Sequence, residues 1–194
     1  LGQLCRGMTA GPFPKPYADF VARLRVPSGF LLAAAFAWFA EPSVRSLVYG
    51  LPISIAGLAL RAWAAGHLAK NQRLATSGPY AYTRNPLYLG TLIVAAGFAV
   101  AGRSAGLGLL FAAVFLLVYL PVILLEEQHL RQLFPEYADY AHRVPSLLPW
   151  RTGWPGSSRF SRQLYWKNQE YQAALGFLSG VALLAWKCVI KNQS

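Results

Sequence analysis

Residues 71 to 90 read NQRLATSGPYAYTRNPLYLG, a polar and aromatic stretch that lies between two strongly apolar segments. Its Gly-Pro and Asn-Pro pairs are typical turn signals. Because proline is favoured in the first turn of a helix, the next apolar helix is predicted to begin at Pro86, with Arg84 and Asn85 held at its mouth. Two interpretations of the stretch remain open, a functional site and an ordinary interfacial loop with an aromatic belt.

The composition of the whole chain indicates a membrane protein. Hydrophobic residues make up 55% of the 194 residues and only 13% are charged, whereas soluble domains have about 25% charged residues. The net charge of +11 comes from basic residues that cluster between the apolar runs, which is typical of loops near anionic headgroups. We therefore expect membrane lipids as partners and no nucleic acid, for which no binding motif is present.

The cysteines and histidines predict no metal site. Cys5 and Cys188 lie near opposite ends of the chain, so no paired spacing indicates a disulfide framework or a zinc site. The three histidines share no ligand spacing either, and they are His67, His129 and His142.

Five apolar segments predict an all-α integral membrane protein with about five transmembrane helices. Their ranges are 27–40, 46–65, 87–101, 107–125 and 172–190. About 20 residues usually cross a bilayer, so the first segment needs flanking residues to span. A short polar break joins the third and fourth segments, which are therefore predicted to form an antiparallel hairpin. Small residues that would permit close helix contact are Gly90, Gly97, Gly106 and Gly108.

The chain divides into three parts. Residues 1–26 form a basic interfacial segment, in which prolines oppose a helix at first and residues 20–25 fit a short interfacial helix. Residues 27–150 form the membrane core. Residues 151–194 form a basic connector and an extra C-terminal transmembrane helix, to which we assign anchoring or homo-oligomer contact.

Arg61 interrupts the second apolar segment close to one end. A charge at that depth is costly. Its side chain is therefore expected either to snorkel, which is the commoner outcome, or to face a polar cavity and contact a substrate.

The predicted hairpin brings two polar groups together. It places the start of the third span beside the end of the fourth, which leads directly into Glu126 and Glu127. Arg84 and Asn85 are therefore expected near these two carboxylates. A cytoplasmic pocket is predicted between the loop before span three and the segment after span four.

The distribution of basic residues predicts the orientation. With the N-terminus in the cytoplasm, residues 1–26, 66–86 and 126–171 lie on the cytoplasmic side, and they carry 13 of the 18 basic residues. This arrangement agrees with the excess of Lys and Arg in cytoplasmic loops of membrane proteins.

Paired carboxylates at a membrane edge require solvent, a partner or a cation. Two plain interpretations are an Arg–carboxylate surface pair, worth about 0–1 kcal/mol, and a solvated helix start. The functional interpretation is a pocket for a small zwitterion, in which the carboxylates take an ammonium or ribose hydroxyls, Arg84 a carboxylate and the tyrosines an apolar or cationic face. S-Adenosylmethionine carries these groups, and methyl transfer requires proximity and orientation more than a strong acid or base.

Several motifs in combination resemble one known family. They are Leu74-Ala-Thr-Ser-Gly-Pro-Tyr80, Arg84-Asn-Pro-x-Tyr88-x-Gly90, Glu126-Glu127, Phe134-x-Glu-Tyr137-x-x-Tyr140 and Val144-Pro-x-x-x-Pro149. The combination covers about residues 45–150 and resembles the isoprenylcysteine carboxyl methyltransferase family, whose wider group includes phospholipid N-methyltransferases. The resemblance implies an integral membrane enzyme that binds S-adenosylmethionine at the cytoplasmic face and methylates a lipid or lipidated small molecule.

The resemblance also implies roles for individual residues. The candidate catalytic residues are Arg84, Asn85 and Glu127. The candidate cofactor-binding residues are these three together with Leu74, Gly78, Tyr80, Tyr88 and Glu126. Tyr137 and Tyr140 match the family's closing segment and join Arg61 as candidate substrate-binding residues.

One departure from the family pattern limits the chemistry. The family usually has His where this chain has Asn85, and an Asn side chain can form hydrogen bonds but cannot titrate, so a positioning or cofactor-contact role remains. A carboxylate acceptor, as in an isoprenylcysteine, is the first expectation and needs no general base. An amine acceptor would need Glu126, Glu127 or a tyrosine as the base.

Two other classes of protein stay open. One is a non-catalytic membrane scaffold. The other is a sterol-reductase-like enzyme, which would require a nicotinamide cofactor, although the sequence has no dinucleotide fingerprint.

Overall fold

The computed structural model describes residues 15–150, 153–156 and 158–193. Every regular element in these residues is helical, which confirms the predicted all-α class. The elements are α1 (Lys15–Phe39), α2 (Val44–Ala65), a 3-10 turn (Gly78–Ala81), α3 (Pro86–Ala101), α4 (Ala105–Val114), a π-helical turn (Phe115–Tyr119), α5 (Leu120–Leu133), α6 (Tyr137–Arg143), α7 (Arg162–Lys167) and α8 (Tyr171–Gln193). α4, the π-helical turn and α5 follow one another without a break.

Three helical stretches in the described residues are long and apolar enough to cross a membrane. They are Val44–Ala65, Ala105–Leu133 and Tyr171–Lys191. The apolar stretches Pro27–Phe39 and Pro86–Ala101 are shorter. The 16 residues of α3 rise about 24 Å at 1.5 Å per residue, less than the roughly 30 Å of a hydrocarbon core. The number of five spans stays a prediction.

The first helix is longer than the sequence predicts. Residues 20–25 are helical as expected, but they belong to a longer helix, because α1 is continuous through Pro27. Only the expectation of a short, separate helix is wrong. Proline is tolerated inside membrane helices because neighbouring groups and local adjustments satisfy the freed carbonyl. Pro16 lies in the first turn, where proline is favoured, while Pro12 and Pro14 lie outside the described residues.

The closest helix contact in the bundle joins α2 to α3. A Cβ built on Gly57 would lie 2.7 Å from the carbonyl oxygen of Gly90, and a Cβ built on Gly50 would lie 2.5 Å from that of Gly97. The two backbones therefore approach each other this closely only because all four residues are glycines.

The glycine prediction was right for two residues and wrong for two. Gly90 and Gly97 do permit close packing, but their partner is α2 and not the other helix of the hairpin. A Cβ on Gly106 or Gly108 would make only ordinary contacts, at 3.8 Å. The physical reason is that the glycines of α3 lie on the face that packs against α2, at Gly57 and Gly50.

The predicted hairpin is present. α3 ends at Ala101 and α4 begins at Ala105. Between them Arg103 has a left-handed backbone, with φ 52°, and the side chain of Ser104 accepts a hydrogen bond from the new helix. The continuous helix from α4 to α5 then returns along the bundle, so the middle of α5, at Glu127, lies beside Asn85 at the start of α3.

The C-terminal part of the chain packs back onto residues 66–85, which we call the interfacial loop. The backbone N–H of Trp154 donates to the carbonyl of Ala81 at 2.8 Å. The backbone N–H of Ser161 donates to the carbonyl of Gly66 at 2.9 Å. The connector therefore supports the loop, in addition to the anchoring role that the sequence suggested.

Gly57→Ala is expected to destabilise the bundle, because the added Cβ would lie 2.7 Å from backbone atoms of Gly90 and Val94. Overpacking of this kind costs about 1–3 kcal/mol, so the variant should melt at a lower temperature in detergent. Gly106→Ala is the matched control, since its methyl would meet only Ser104 Oγ, at 3.8 Å. Equal melting temperatures for the two variants, followed by intrinsic fluorescence, would contradict this packing.

Candidate functional site

A buried carboxylate ties the interfacial loop to α5. Asn85 Nδ2 donates a hydrogen bond to Glu127 Oε1 at 2.8 Å, and Arg84 Nη2 lies 3.2 Å from Glu127 Oε2. Asn85 and Glu127 are both buried. The loop therefore lies next to the end of the fourth predicted span, as the predicted hairpin requires.

A third segment, which follows α6, holds the same carboxylate. Ser146 Oγ donates to Glu127 Oε1 at 2.7 Å, and Asn85 Nδ2 also donates to the Ser146 carbonyl at 3.0 Å. The backbone N–H of Arg84 donates to the carbonyl of Pro145 at 3.0 Å. We call Arg84, Asn85, Glu127 and Ser146 the Glu127 clamp. A buried charge that is paired and hydrogen-bonded in this way avoids the large cost of an isolated one.

A cavity of about 710 Å³ opens beside the Glu127 clamp. We call it the polar cavity, because charged and aromatic side chains line it together. Of the residues singled out from the sequence, its wall includes Arg61, Leu74, Tyr80, Arg84, Asn85, Tyr88, Glu126, Tyr137 and Tyr140. Gly78 and Glu127 are outside this lining. Glu127 therefore acts on the polar cavity through Arg84 and Asn85, which it orients.

The wall also contains polar residues that sequence reasoning missed. Lys70 and Arg73 come from the interfacial loop, and His129 comes from α5. The available signal for His129 was its position three residues after Glu126, which places both on one face of a helix.

Buried tyrosines close one side of the polar cavity. The Tyr140 hydroxyl donates to the Tyr80 carbonyl at 2.6 Å, and the guanidinium carbons of Arg84 and Arg131 lie 6.0 and 5.6 Å from the centroid of the Tyr137 ring. Burial raises the pKa of the Tyr137 and Tyr140 hydroxyls well above the ordinary value for tyrosine. Both hydroxyls are therefore protonated at neutral pH and do not serve as bases.

Arg61 does not snorkel, so the commoner of the two expected outcomes is wrong. Its Nε and Nη2 donate to the two carboxylate oxygens of Glu170, at 2.6 and 3.1 Å. Its Nη1 donates to the Thr91 hydroxyl and the Leu87 carbonyl. A carboxylate 109 residues later in the chain thus neutralises the charge inside the protein. Since these donors are engaged, an anionic ligand at Arg61 would compete with Glu170.

Gly78 supports the interfacial loop against a buried histidine. Its φ of +60° favours glycine, and a Cβ at this position would lie 2.7 Å from the His67 ring. His67 Nδ1 lies 3.1 Å from Ser77 Oγ, which in turn contacts the Ser158 hydroxyl. This polar chain connects the loop to the C-terminal part of the protein.

The segment that supplies most of these side chains matches a protein family. Residues 51–137 match the phospholipid methyltransferase family. The resemblance drawn from the sequence motifs is confirmed over this segment, which extends from α2 to the first residue of α6. No solved structure matches the chain.

The curated relatives that match this chain have diverse names. A cobalt-zinc-cadmium resistance protein of Cupriavidus metallidurans is 36% identical over 52% of this chain and 48% of its own length. Methanethiol S-methyltransferase 1 of Bradyrhizobium diazoefficiens is 41% identical over 44% of this chain and 30% of its own. Protein-S-isoprenylcysteine O-methyltransferase of Schizosaccharomyces pombe is 29% identical over 70% of this chain and 59% of its own. The chain thus spans between 30% and 59% of the length of these relatives.

Glu127→Ala is expected to destabilise the fold strongly, because it leaves the guanidinium of Arg84, whose side chain is only 13% exposed, without its carboxylate. Breaking a buried pair in this way costs about 3–5 kcal/mol. Glu136→Ala is the control, since Glu136 is an exposed carboxylate in the turn before α6 and surface changes usually stay within about 0.5 kcal/mol. Thermal unfolding in detergent measures both, and equal losses would contradict the clamp.

Mild acidification should lower the stability of the folded protein, and we expect His67 to be a cause. Burial, and then the nearby charge of Arg73, lowers the pKa of His67 below the usual 6.5. As the pH drops below that value, the unfolded state binds a proton that the folded state resists, so folding loses free energy. His67→Gln removes this effect, because a glutamine side chain does not titrate. The decrease in melting temperature between about pH 7.5 and 5.5 should be smaller in the variant, and an equal decrease would contradict the assignment.

Proposed function

We propose that the protein is an integral membrane methyltransferase that takes its methyl group from S-adenosylmethionine and acts on a lipid-like acceptor. The observation that carries the proposal is the convergence of separate family motifs on one cavity of about 710 Å³, a size within the about 300–1,000 Å³ usual for small-molecule sites. Two relatives are named as methyltransferases of sulfur or oxygen acceptors, which supports this class of reaction.

The wall of the polar cavity fits a ligand that carries both charges. Glu126 supplies a carboxylate, and Lys70, Arg73 and Arg84 supply positive charge. Within the part of the chain that the structure describes, Arg84 Nε is buried and has no hydrogen-bond partner. A ligand carboxylate beside it would satisfy a donor that is already desolvated. The tyrosine rings offer faces for a sulfonium cation or an adenine ring.

Different residues of the wall would contact different groups of the ligand. Arg84 would take the carboxylate of S-adenosylmethionine, Glu126 the ammonium or ribose hydroxyls, and Leu74, Tyr80 and Tyr88 the adenosine. When bound, this donor supplies a methyl group whose bond to the positive sulfur breaks with the electron pair left on sulfur. The Glu127 clamp holds Arg84 and Asn85 in place, and such fixed positioning is the main protein contribution to a displacement reaction.

The acceptor is a group that is already nucleophilic at neutral pH. Asn85 cannot titrate, and the hydroxyls of Tyr137 and Tyr140 are held protonated by burial. A carboxylate, as in an isoprenylcysteine, or a thiolate therefore suits the site better than an amine. An amine acceptor would depend on Glu126 or on the imidazole of His129, which both line the polar cavity.

The polar cavity is proposed to open towards the cytoplasm. The interfacial loop and the end of α5 lie at one end of the bundle, because the clamp joins them. The interfacial loop and residues 126–171 together carry half of the 18 basic residues, and loops rich in Lys and Arg remain on the cytoplasmic side.

Titration of the detergent-purified chain with S-adenosylmethionine and with NADPH tests the proposal. We expect heat of binding for the methyl donor alone, followed by label transfer from a methyl-labelled donor to carboxylate or thiol lipids. Binding of NADPH alone would indicate a reductase. Binding of neither compound by a folded sample would overturn the enzyme proposal.

Glu126→Gln should weaken binding of S-adenosylmethionine by roughly tenfold or more, because hydrogen bonds to charged groups contribute about 1.5–3 kcal/mol. The melting temperature without ligand should stay close to that of the parent chain, since Glu126 is exposed. Glu136→Gln, on the surface outside the polar cavity, is the matched control and should bind normally. Equal affinities for the two variants would mean that Glu126 does not contribute to binding of S-adenosylmethionine.

A further inference from the structure

The wall of the polar cavity carries more basic than acidic side chains. Among the residues that the structure describes, the lining includes Glu126 as its only carboxylate, against the basic residues Arg61, Lys70, Arg73 and Arg84. S-Adenosylmethionine itself has a net positive charge at neutral pH, because its carboxylate offsets the ammonium and leaves the sulfonium uncompensated. Such a wall would repel the proposed donor unless part of its charge is neutralised.

Two carboxylates outside the lining neutralise the two arginines of the wall. Glu127 lies 3.2 Å from Arg84, and Glu170 accepts from Arg61 at 2.6 and 3.1 Å. The side chain of Arg61 is 23% exposed and lines the polar cavity, whereas that of Glu170 is 6% exposed and does not. The two lysine and arginine residues that remain, at positions 70 and 73, are exposed, so water weakens their fields.

The segment before α8 sets the position of Glu170. Asn168 Nδ2 donates to the carbonyls of Ala65 and Leu68, both at 2.9 Å, and thereby supplies a partner to the C-terminal end of α2. Gln169 then reverses the backbone with a φ of 56°. These contacts bring the carboxylate of Glu170 beside Arg61, one helical turn before Ala65.

Arg61 is held at the wall from its other side by α3. Its Nη1 donates to the Leu87 carbonyl and the Thr91 hydroxyl. A Cβ built on Gly90 would lie 2.6 Å from Arg61 Cγ, so glycine leaves the space in which this side chain crosses α3. The guanidinium therefore keeps two partners on α3 when Glu170 is changed, and its charge stays at the wall.

We propose that Glu170 is a specificity-determining residue, which neutralises Arg61 and so favours the cationic donor S-adenosylmethionine over its uncharged product S-adenosylhomocysteine. This inference rests on the proposed function. The two ligands share the carboxylate, the ammonium and the adenosine, and they differ in the methyl group and the sulfonium charge. A charge on the wall therefore changes their relative affinity, whereas a general loss of structure weakens both.

The proposal also gives the C-terminal part of the chain a role in turnover. Glu170 lies outside the family segment 51–137, so the family match assigns it no function. Transfer of the methyl group removes the sulfonium charge from the bound ligand. A wall that is neutral at Arg61 attracts the donor relative to the product, and this difference favours exchange of the spent ligand.

Isothermal titration with the donor and with the product tests the proposal on the detergent-purified chain. The measured quantity is the Kd of the product divided by the Kd of the donor, which we call the donor preference. In Glu170→Gln it should fall about fivefold or more, because the uncompensated charge of Arg61 acts on the sulfonium. Glu41→Gln is the matched control and should equal the parent, since it removes a carboxylate from an exposed pair with Lys191, outside the polar cavity.

Two further variants separate charge from structure, and they keep the test decisive if Glu170→Gln does not fold. Arg61→Gln should raise the donor preference, because the carboxylate of Glu170 then has no cation beside it. The double variant Arg61→Gln/Glu170→Gln should return to the parent value, since both charges are gone. A donor preference that stays unchanged in the folded single variants, or that moves in the same direction in both, would overturn the proposal.

The same titrations distinguish this inference from the proposed function. Binding of neither ligand to the folded parent would reject the proposed function, and the inference would fall with it. Binding of both ligands with one common donor preference in all folded variants would reject the role of Glu170 alone. Melting temperatures without ligand show which variants are folded.

Discussion

The buried carboxylate of Glu127 is the constraint on which the site depends. In a chain this apolar, an ionised group away from water is tolerated only when it is paired and hydrogen-bonded. Arg84 and Asn85 meet that need from the interfacial loop, and Ser146 meets it from the segment after α6. Three segments that are distant in the sequence therefore converge on one carboxylate, and two of them, the interfacial loop and α5, also line the polar cavity.

The meeting of the loop with the end of the fourth span could be predicted, because it depends on few assumptions. A short polar break between two apolar segments fixes an antiparallel hairpin, and a hairpin fixes which ends are adjacent. The contact of Asn85 with Glu127 follows from that topology. The sequence could not tell which of two adjacent glutamates faces inward. Helix rotation decides this, and it places Glu127 in the buried clamp and Glu126 on the cavity wall.

Other features of the structure depend on which helices pack together, and the order of the helices in the sequence does not determine this. The partner of Arg61 is Glu170, an acidic residue just before an apolar helix, and nothing in its neighbourhood marks it as an ion-pair partner. The glycines of α3 indicate close packing but not the packing partner, because α2 and α4 both adjoin α3 in sequence. The continuity of α1 through Pro27 also could not be predicted, because local preference disfavours proline inside a helix.

The ion pair between Arg61 and Glu170 also imposes an order on assembly. The two residues are 109 positions apart, and translation at about 5–20 residues per second separates their synthesis by roughly 5 to 20 s. Through that interval Arg61 lacks the carboxylate that pairs with it in the folded chain, and burial of an unpaired charge is costly. The ion pair can form only after Glu170 has been synthesised. A chain interrupted before Glu170 would leave Arg61 without this carboxylate, and incompletely folded chains are subject to cellular quality control.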